Sequence, residues 1–274
     1  ITTSPRGTGN GGNITIVARD SIDITGGVRF DDGRLGSSLS AGPQLVGSSG
    51  NGGNIILRTG QLRVHDGGAV RTFSFEPGDG GDIIVDATSV NVIDARISAE
   101  AFGEGNAGNV DITATQNVSV VGSSRISVSA LEGSNTGELT ISAGSILLDK
   151  GGRLSAETSG GDQGNIRLAV NDALLLRRGG SITTNATGTS TGGNITITSP
   201  FIVAVPAENS DIVANAVAGN GGNIQIAAAG IFGIEFRPQI TTWSDITASS
   251  QFGVAGIVQI QTPDLDPSQG IVEL

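Results

Sequence analysis

Few residues in this chain are suited to covalent or acid–base chemistry. His65 is the only histidine, cysteine and tyrosine are absent, and no serine is patterned around His65 as a nucleophile would be. The stretch "GTGNGG", Gly7 to Gly12, matches the G-x-G-x-x-G of dinucleotide loops. Such a loop must join a strand to a helix, and here an alternating run follows instead. Carboxylates gather in glycine-rich stretches, at Asp31 and Asp32, at Asp79 and Asp82 in "PGDGGD", and at Asp162. Calcium-binding β-rolls repeat Gly and Asp in a nonapeptide, whereas this chain puts Asn where those repeats need Asp. These stretches read as solvated turns; an incidental Ca2+ is the one metal to weigh, and no cofactor is expected. Arg71, Arg96, Arg125 and Arg153 recur at roughly corresponding positions of one repeated run. A polysaccharide-cleaving enzyme would need clustered carboxylates, or calcium beside a basic residue, along one exposed face. The arginines have no matching acidic file and aromatic residues make up only 3% of the chain, so no catalytic residue is assigned and no enzyme is expected.

The elements that position these residues are set by a repeat. The hexapeptide "GNGGNI" begins at Gly9, Gly50 and Gly219, and degenerate copies fill the space between them. Aligned by the last polar residue, the anchors are Asn13, Asn54, Asp82, Asn109, Glu138, Asn165, Asn194 and Asn223, with Ile257 as a degenerate ninth. The intervals are 41, 28, 27, 29, 27, 29, 29 and 34 residues, the self-similarity of a solenoid or propeller. Each period holds three runs. The anchor opens "NITI", "NVDI" or "NIRL"; a second run follows, such as "QLRV" or "NVSV"; a third, such as "ARISA" or "SRISV", leads through glycines to the next anchor.

Alternation at period two puts Ile112 or Ile197 on one face of a short strand, and no run carries the 3.6-residue period of a helix. A propeller blade needs a fourth strand and aromatic signatures. The pattern predicts an all-β, right-handed parallel β-helix, a three-faced solenoid of about nine coils stacked into a rod about 40 Å long. Each coil is read as three short strands and three turns. Glycine is expected at the corner to allow positive φ, and the anchors Asn13, Asn54, Asp82, Asn109, Asn165, Asn194 and Asn223 to form a ladder of stacked amides along the axis. The solenoid is predicted over 1–262, with inserted loops near 30–45 and 235–243, and a Pro-interrupted tail or partial coil over 263–274.

The net charge of −11, with Lys150 the only lysine, excludes a nucleic-acid-binding face. No apolar run is long enough to cross a membrane as a helix. The repeated "GNGGNITI" corners, "GGSITTNATG" and above all "SDITASSQFGVAGIVQIQTPDLDP" resemble the filamentous-haemagglutinin-like exoproteins of cyanobacteria, secreted by the two-partner route. The resemblance implies an adhesin or stalk exported through an outer-membrane transporter and folded outside the cell, with an unknown surface ligand for which carbohydrate is the candidate. The family's Asn-Pro-Asn secretion domain is not in this sequence, so export is implied for a longer parent. Two rivals stand beside this reading: a self-assembling filament subunit, joined end to end, and a polysaccharide-active β-helix lyase or hydrolase.

Overall fold

The computed structural model describes residues 1–5, 8–26, 37–43, 49–75, 77–131, 134–160 and 164–262. Within them the alternating runs become strands that pair in parallel with the corresponding strand of the turn before and the turn after. Two sheets result. The longer strands, Ile55–His65, Ile83–Ile93, Val110–Val121, Leu139–Asp149 and Ile166–Arg177, stack in one; the shorter ones, Ala69–Ser74, Arg96–Ala101, Arg125–Ala130 and Arg153–Thr158, stack in the other. The architecture is a parallel β-helix.

Two features of the repeat differ from the sequence reading. The first and second runs of each period are one continuous strand in the early turns, bent where the register shifts at Ala18/Ser21, Ala87/Ser89 and Ala143/Ser145. A bulge turns the chain onto a new face without ending the strand, because one extra residue suffices to bend the ladder. Only later do the runs separate, into Ile195–Thr198 and Phe201–Ala204, where Pro200 lacks the N–H that pairing needs. The stack also has about seven full turns, not nine. They begin with the strands at Ile55, Ile83, Val110, Leu139, Ile166, Ile195 and Ile224; the circuit after Ile14–Thr25 passes through residues outside the description, and the last rung, Val258–Gln261, has no described third-face companion.

The interior is filled by aliphatic columns. Ile112, Ile141, Leu168, Ile197 and Ile226 are successive partners in register and all are buried. Ile97, Ile126, Leu154, Ile182, Ile212 and Ile246 form the matching column of the third face. Each such side chain contributes about 1.5–3 kcal/mol by leaving water, which explains a stable core almost without aromatics.

The predicted insertions are partly structural. Ser38–Ala41, inside the segment read as a loop, is a third-face strand that pairs with Ala69–Thr72 on one side and Thr2–Thr3 on the other. Residues 27–36 and 44–48 of that region, Asp162, and the tail from 263 lie outside the described residues. In the 235–243 segment, Glu235–Phe236 pairs with Asp245–Ile246 and so extends the third-face sheet.

Candidate functional site

The hexapeptide corner is where sequence becomes geometry first. The Asn54 N–H donates to Asn13 Oδ1 at 2.8 Å, Asp82 N–H to Asn54 Oδ1 at 2.8 Å, Asn109 N–H to Asp82 Oδ1 at 2.8 Å, and Glu138 N–H to Asn109 Oδ1 at 2.8 Å. Past the Glu138 turn the links resume: Asn194 N–H to Asn165 at 2.9 Å, Asn223 N–H to Asn194 at 3.0 Å, Ile257 N–H to Asn223 at 3.0 Å. The chief link is thus side-chain oxygen to backbone N–H, not amide to amide. Aspartate serves as well as asparagine because only the acceptor is used; a direct side-chain bond is added where Asn109 Nδ2 meets Asp82 at 3.2 Å. Glu138 instead turns its carboxylate to Arg167.

A second ladder, which sequence reasoning missed, runs three residues earlier. Asn51 N–H donates to Asn10, Asp79 N–H to Asn51, Asn106 N–H to Asp79 and Val254 N–H to Asn220, at 2.8–3.0 Å. Its signal was the second letter of "GNGGNI". The acidic corner residues Asp79 and Asp82 are therefore acceptors in the stack.

The glycines have a different purpose from the one expected. None of the described glycines of the anchor corners has positive φ. A methyl group on Gly108 would lie 2.1 Å from the Gly81 carbonyl oxygen, and Gly53, Gly81, Gly137, Gly193, Gly222 and Gly256 would meet the preceding glycine carbonyl in the same way. Corner backbones stack so closely that no Cβ fits. Positive φ occurs at another corner, between the long strand and the third face, where Asp66, Lys150 and Arg178 at φ 52°, 53° and 46° each precede a glycine at 82°, 87° and 78°. There the charged side chains tie turns together: Arg178 Nε donates to Asp149 at 2.8 Å, and Arg177 Nε to Glu208 at 2.8 Å. The two arginines, chiefly the Arg177 hydrogen bond and then the Arg178 N–H, hold the Glu208 carboxyl at about 2.

Surface chemistry concentrates on the third face, whose outward residues form three columns. Arg96, Arg125 and Arg153 stack in register and continue as Ser181, Asp211 and Asp245; Arg71 lies two residues further along, beside Ser98. The column beside them is small, with Ser98, Ser127, Ser155 and Thr183 followed by Val213 and Thr247, all buried. The far column holds Glu100 and Glu157, so the arginines do face acidic residues, and Arg125 pairs with the buried Glu100 at 3.1 Å. Burial pushes the Arg96 guanidinium below its usual value, with the neighbouring Arg71 charge adding to the effect. Asp211, only 7% exposed, has its carboxyl pushed up, first by burial and also by the charge of Asp245, although its Oδ1 accepts the Asp245 N–H at 2.9 Å. Asp245 is held by Arg237 and by the Thr241 hydroxyl at 2.8 Å.

His65 bridges two carboxylates, Asp23 through Nε2 at 2.7 Å and Asp66 through Nδ1 at 2.8 Å, and among the described residues no nucleophile is a hydrogen-bond partner of it. Both acids, Asp66 first, raise its pKa. Among the described residues, no three of His, Cys, Asp and Glu converge as a metal site, and no helix is long and apolar enough to cross a membrane. Comparison with protein-family profiles, curated proteins and solved structures finds no match to this chain.

Proposed function

We propose that the chain is a non-catalytic extracellular β-helix, the stalk or adhesion module of a larger exoprotein of the filamentous-haemagglutinin-like kind. The carrying observation is the distribution of exposed apolar side chains. Of the fifteen large ones among the described residues, ten lie at or beyond Phe201, among them Phe232, Phe236, Ile240, Trp243, Phe252 and Val254. Apolar side chains exposed in such concentration mark contact surfaces, and here they sit on the last turns of a rigid stack. The partner is a surface ligand, carbohydrate in the first instance, and the parent's exporter is an outer-membrane transporter. Beads coated with the chain should be retained under flow on polysaccharide-coated surfaces, and retention should fall when Phe236 and Trp243 are both changed to Ser. Retention no better than that of albumin-coated beads would refute the reading.

A filament subunit is the second reading, favoured by one feature. Among the described residues Val258–Gln261 pairs only with Ile224–Ala227, and a strand paired on one side is the kind of edge on which another chain can add. Sedimentation distinguishes it: mass rising with concentration, and held at the monomer by Ile260→Pro, supports assembly. The enzyme reading rests on the raised carboxyl of Asp211 beside Asp245.

A further inference from the structure

The corners between the long strands and the third face are tied to neighbouring turns by charged side chains, and the first described corner differs from the later ones in kind. In register, the residue that closes the long strand is Thr25, His65, Ile93, Val121, Asp149 and Arg177 on successive turns. The later corners are tied by arginine, Arg178 to Asp149 and Arg177 to Glu208, and these charges are constant from about pH 5 to about pH 9. At the first corner the tie is a histidine, the side chain whose ordinary pKa puts its charge change near neutrality. His65 Nε2 lies 2.7 Å from Asp23 Oδ1 in the turn before, and Nδ1 lies 2.8 Å from Asp66 Oδ2. The ring is 27% exposed and the Asp23 side chain 47%.

A carboxylate only accepts hydrogen bonds, so a ring that meets one at each nitrogen must carry a proton on both. The bridge is therefore an imidazolium, and its two bonds are charge-assisted, about twice as strong as neutral ones. When the ring gives a proton to solvent, one nitrogen turns a lone pair toward a carboxylate oxygen and the other keeps only a neutral donor. The two acids then face each other without a cation between them. Among the described residues no other charge replaces it. On the strand Ile14–Thr25 the facing group is Asp23, and at the corner it is Asp66. On the ring's own strand Arg63 stands beside Asp23 in register; on the next strand the partner of His65 is the apolar Ile93, and Asp94 beyond it directs its carboxylate to the Ser123 N–H at 2.9 Å. The two bridging acids, Asp66 first, hold the imidazolium above its ordinary range. The bridge secures the end of the strand Ile14–Thr25, where Gly26 donates its N–H to the His65 carbonyl at 3.1 Å.

We propose that Asp23, His65 and Asp66 form a proton-dependent clamp, which fastens the strand Ile14–Thr25 to the strand Ile55–His65 in mild acid and slackens as the imidazole deprotonates. A group whose folded pKa is raised stabilises fully below its unfolded value, here 6.5, and that contribution is lost as pH rises through the folded value. Because a solenoid opens turn by turn, the loss is confined to the turn that holds the bridge. The corners tied by arginine keep their hold across the same window.

The test is NMR of the ring nitrogens together with amide exchange on the intact chain, from about pH 5.5 to about pH 8.5, a window that spans the histidine charge change. Each exchange rate is divided by that of an unstructured peptide at the same pH. His65, the only histidine, should carry a proton on both nitrogens at the acid end and titrate with a midpoint above 6.5. Protection of the Gly26 amide, and of residues 22–25, should fall across that midpoint by about tenfold for each unit by which it exceeds 6.5, while protection in Leu139–Asp149 stays level. Asp23→Asn should lower the midpoint and shrink the fall at Gly26. His65→Gln should leave Gly26 protection level with pH, at the value the parent reaches at the alkaline end. Parent-like protection in Leu139–Asp149 shows that both variants keep the fold. A midpoint at or below 6.5, Gly26 protection that stays level in the parent, a fall that persists in His65→Gln, or one that Asp23→Asn leaves as large would overturn the proposal.

Discussion

Replacing Gly108 by alanine tests why the corner sequence recurs. The added methyl would stand 2.1 Å from the Gly81 carbonyl oxygen and 2.4 Å from its carbon. Carbon and carbonyl oxygen ordinarily meet at about 3.3 Å, so the corner must open by about 1 Å in a stack whose strands lie about 4.8 Å apart. That opening pulls on two bonds of 2.8 Å, from the Asn109 N–H to Asp82 and from the Glu138 N–H to Asn109. Overpacking costs about 1–3 kcal/mol and each weakened hydrogen bond about 1 kcal/mol, giving about 3–5 kcal/mol together. Gly67 is the control, because it has φ +82° and nothing within 4 Å of the position a methyl would take. Gly67→Ala should therefore cost only left-handed backbone strain, about 1–2 kcal/mol. Guanidinium denaturation followed by the β circular dichroism band reads the difference. Amide exchange around residues 80–112 locates it, because a solenoid can open locally. A Gly108→Ala variant no less stable than Gly67→Ala would refute the close-stacking explanation.

Asn165→Ala with Asn194→Ala should cost about 2 kcal/mol by denaturation, whereas Asn223→Asp should be nearly neutral, because its link to the Ile257 N–H uses only the acceptor oxygen. Ile141→Ala should cost about 2–5 kcal/mol, and Ile141→Asp should abolish the cooperative transition across several turns; a variant melting with the parent would mean that the column is wrongly placed. Glu208 titrates at about 2 in the folded chain against an ordinary 4.5, so its contribution is present above 4.5 and is lost as pH falls toward 2. Carboxyl-detected NMR titration should show that low midpoint, and Arg177→Gln should move it up. Asp211 has the opposite sign: with its folded pKa raised above 3.8, it destabilises the fold as pH rises through that window, so Asp211→Asn should melt higher than the parent at neutral pH.

The parallel solenoid was legible because alternation and recurrence are written residue by residue: Ile112 and Ile197 could be placed inward from "NVDI" and "NITI" alone. The bulged corner was not, since a shift at Ala143/Ser145 leaves no composition mark apart from Gly144. The role of glycine was misread because positive φ and close approach select the same residue; only the position of the neighbouring coil separates Gly67 from Gly108. The pairing of Arg125 with Glu100 was missed because the two are 25 residues apart, and only the stacking register brings a residue of one turn beside the other.

The central claim, attachment without turnover, is tested most directly by measuring both on the same surface. Beads carrying the chain are held on immobilised polysaccharide, with and without calcium, while the eluate is assayed for reducing and unsaturated ends. The account predicts sustained retention, lowered when Phe236 and Trp243 are both changed to Ser, and no product above the uncoated control. Product that accumulates with time and disappears in Asp211→Asn would contradict it and make the rod an enzyme.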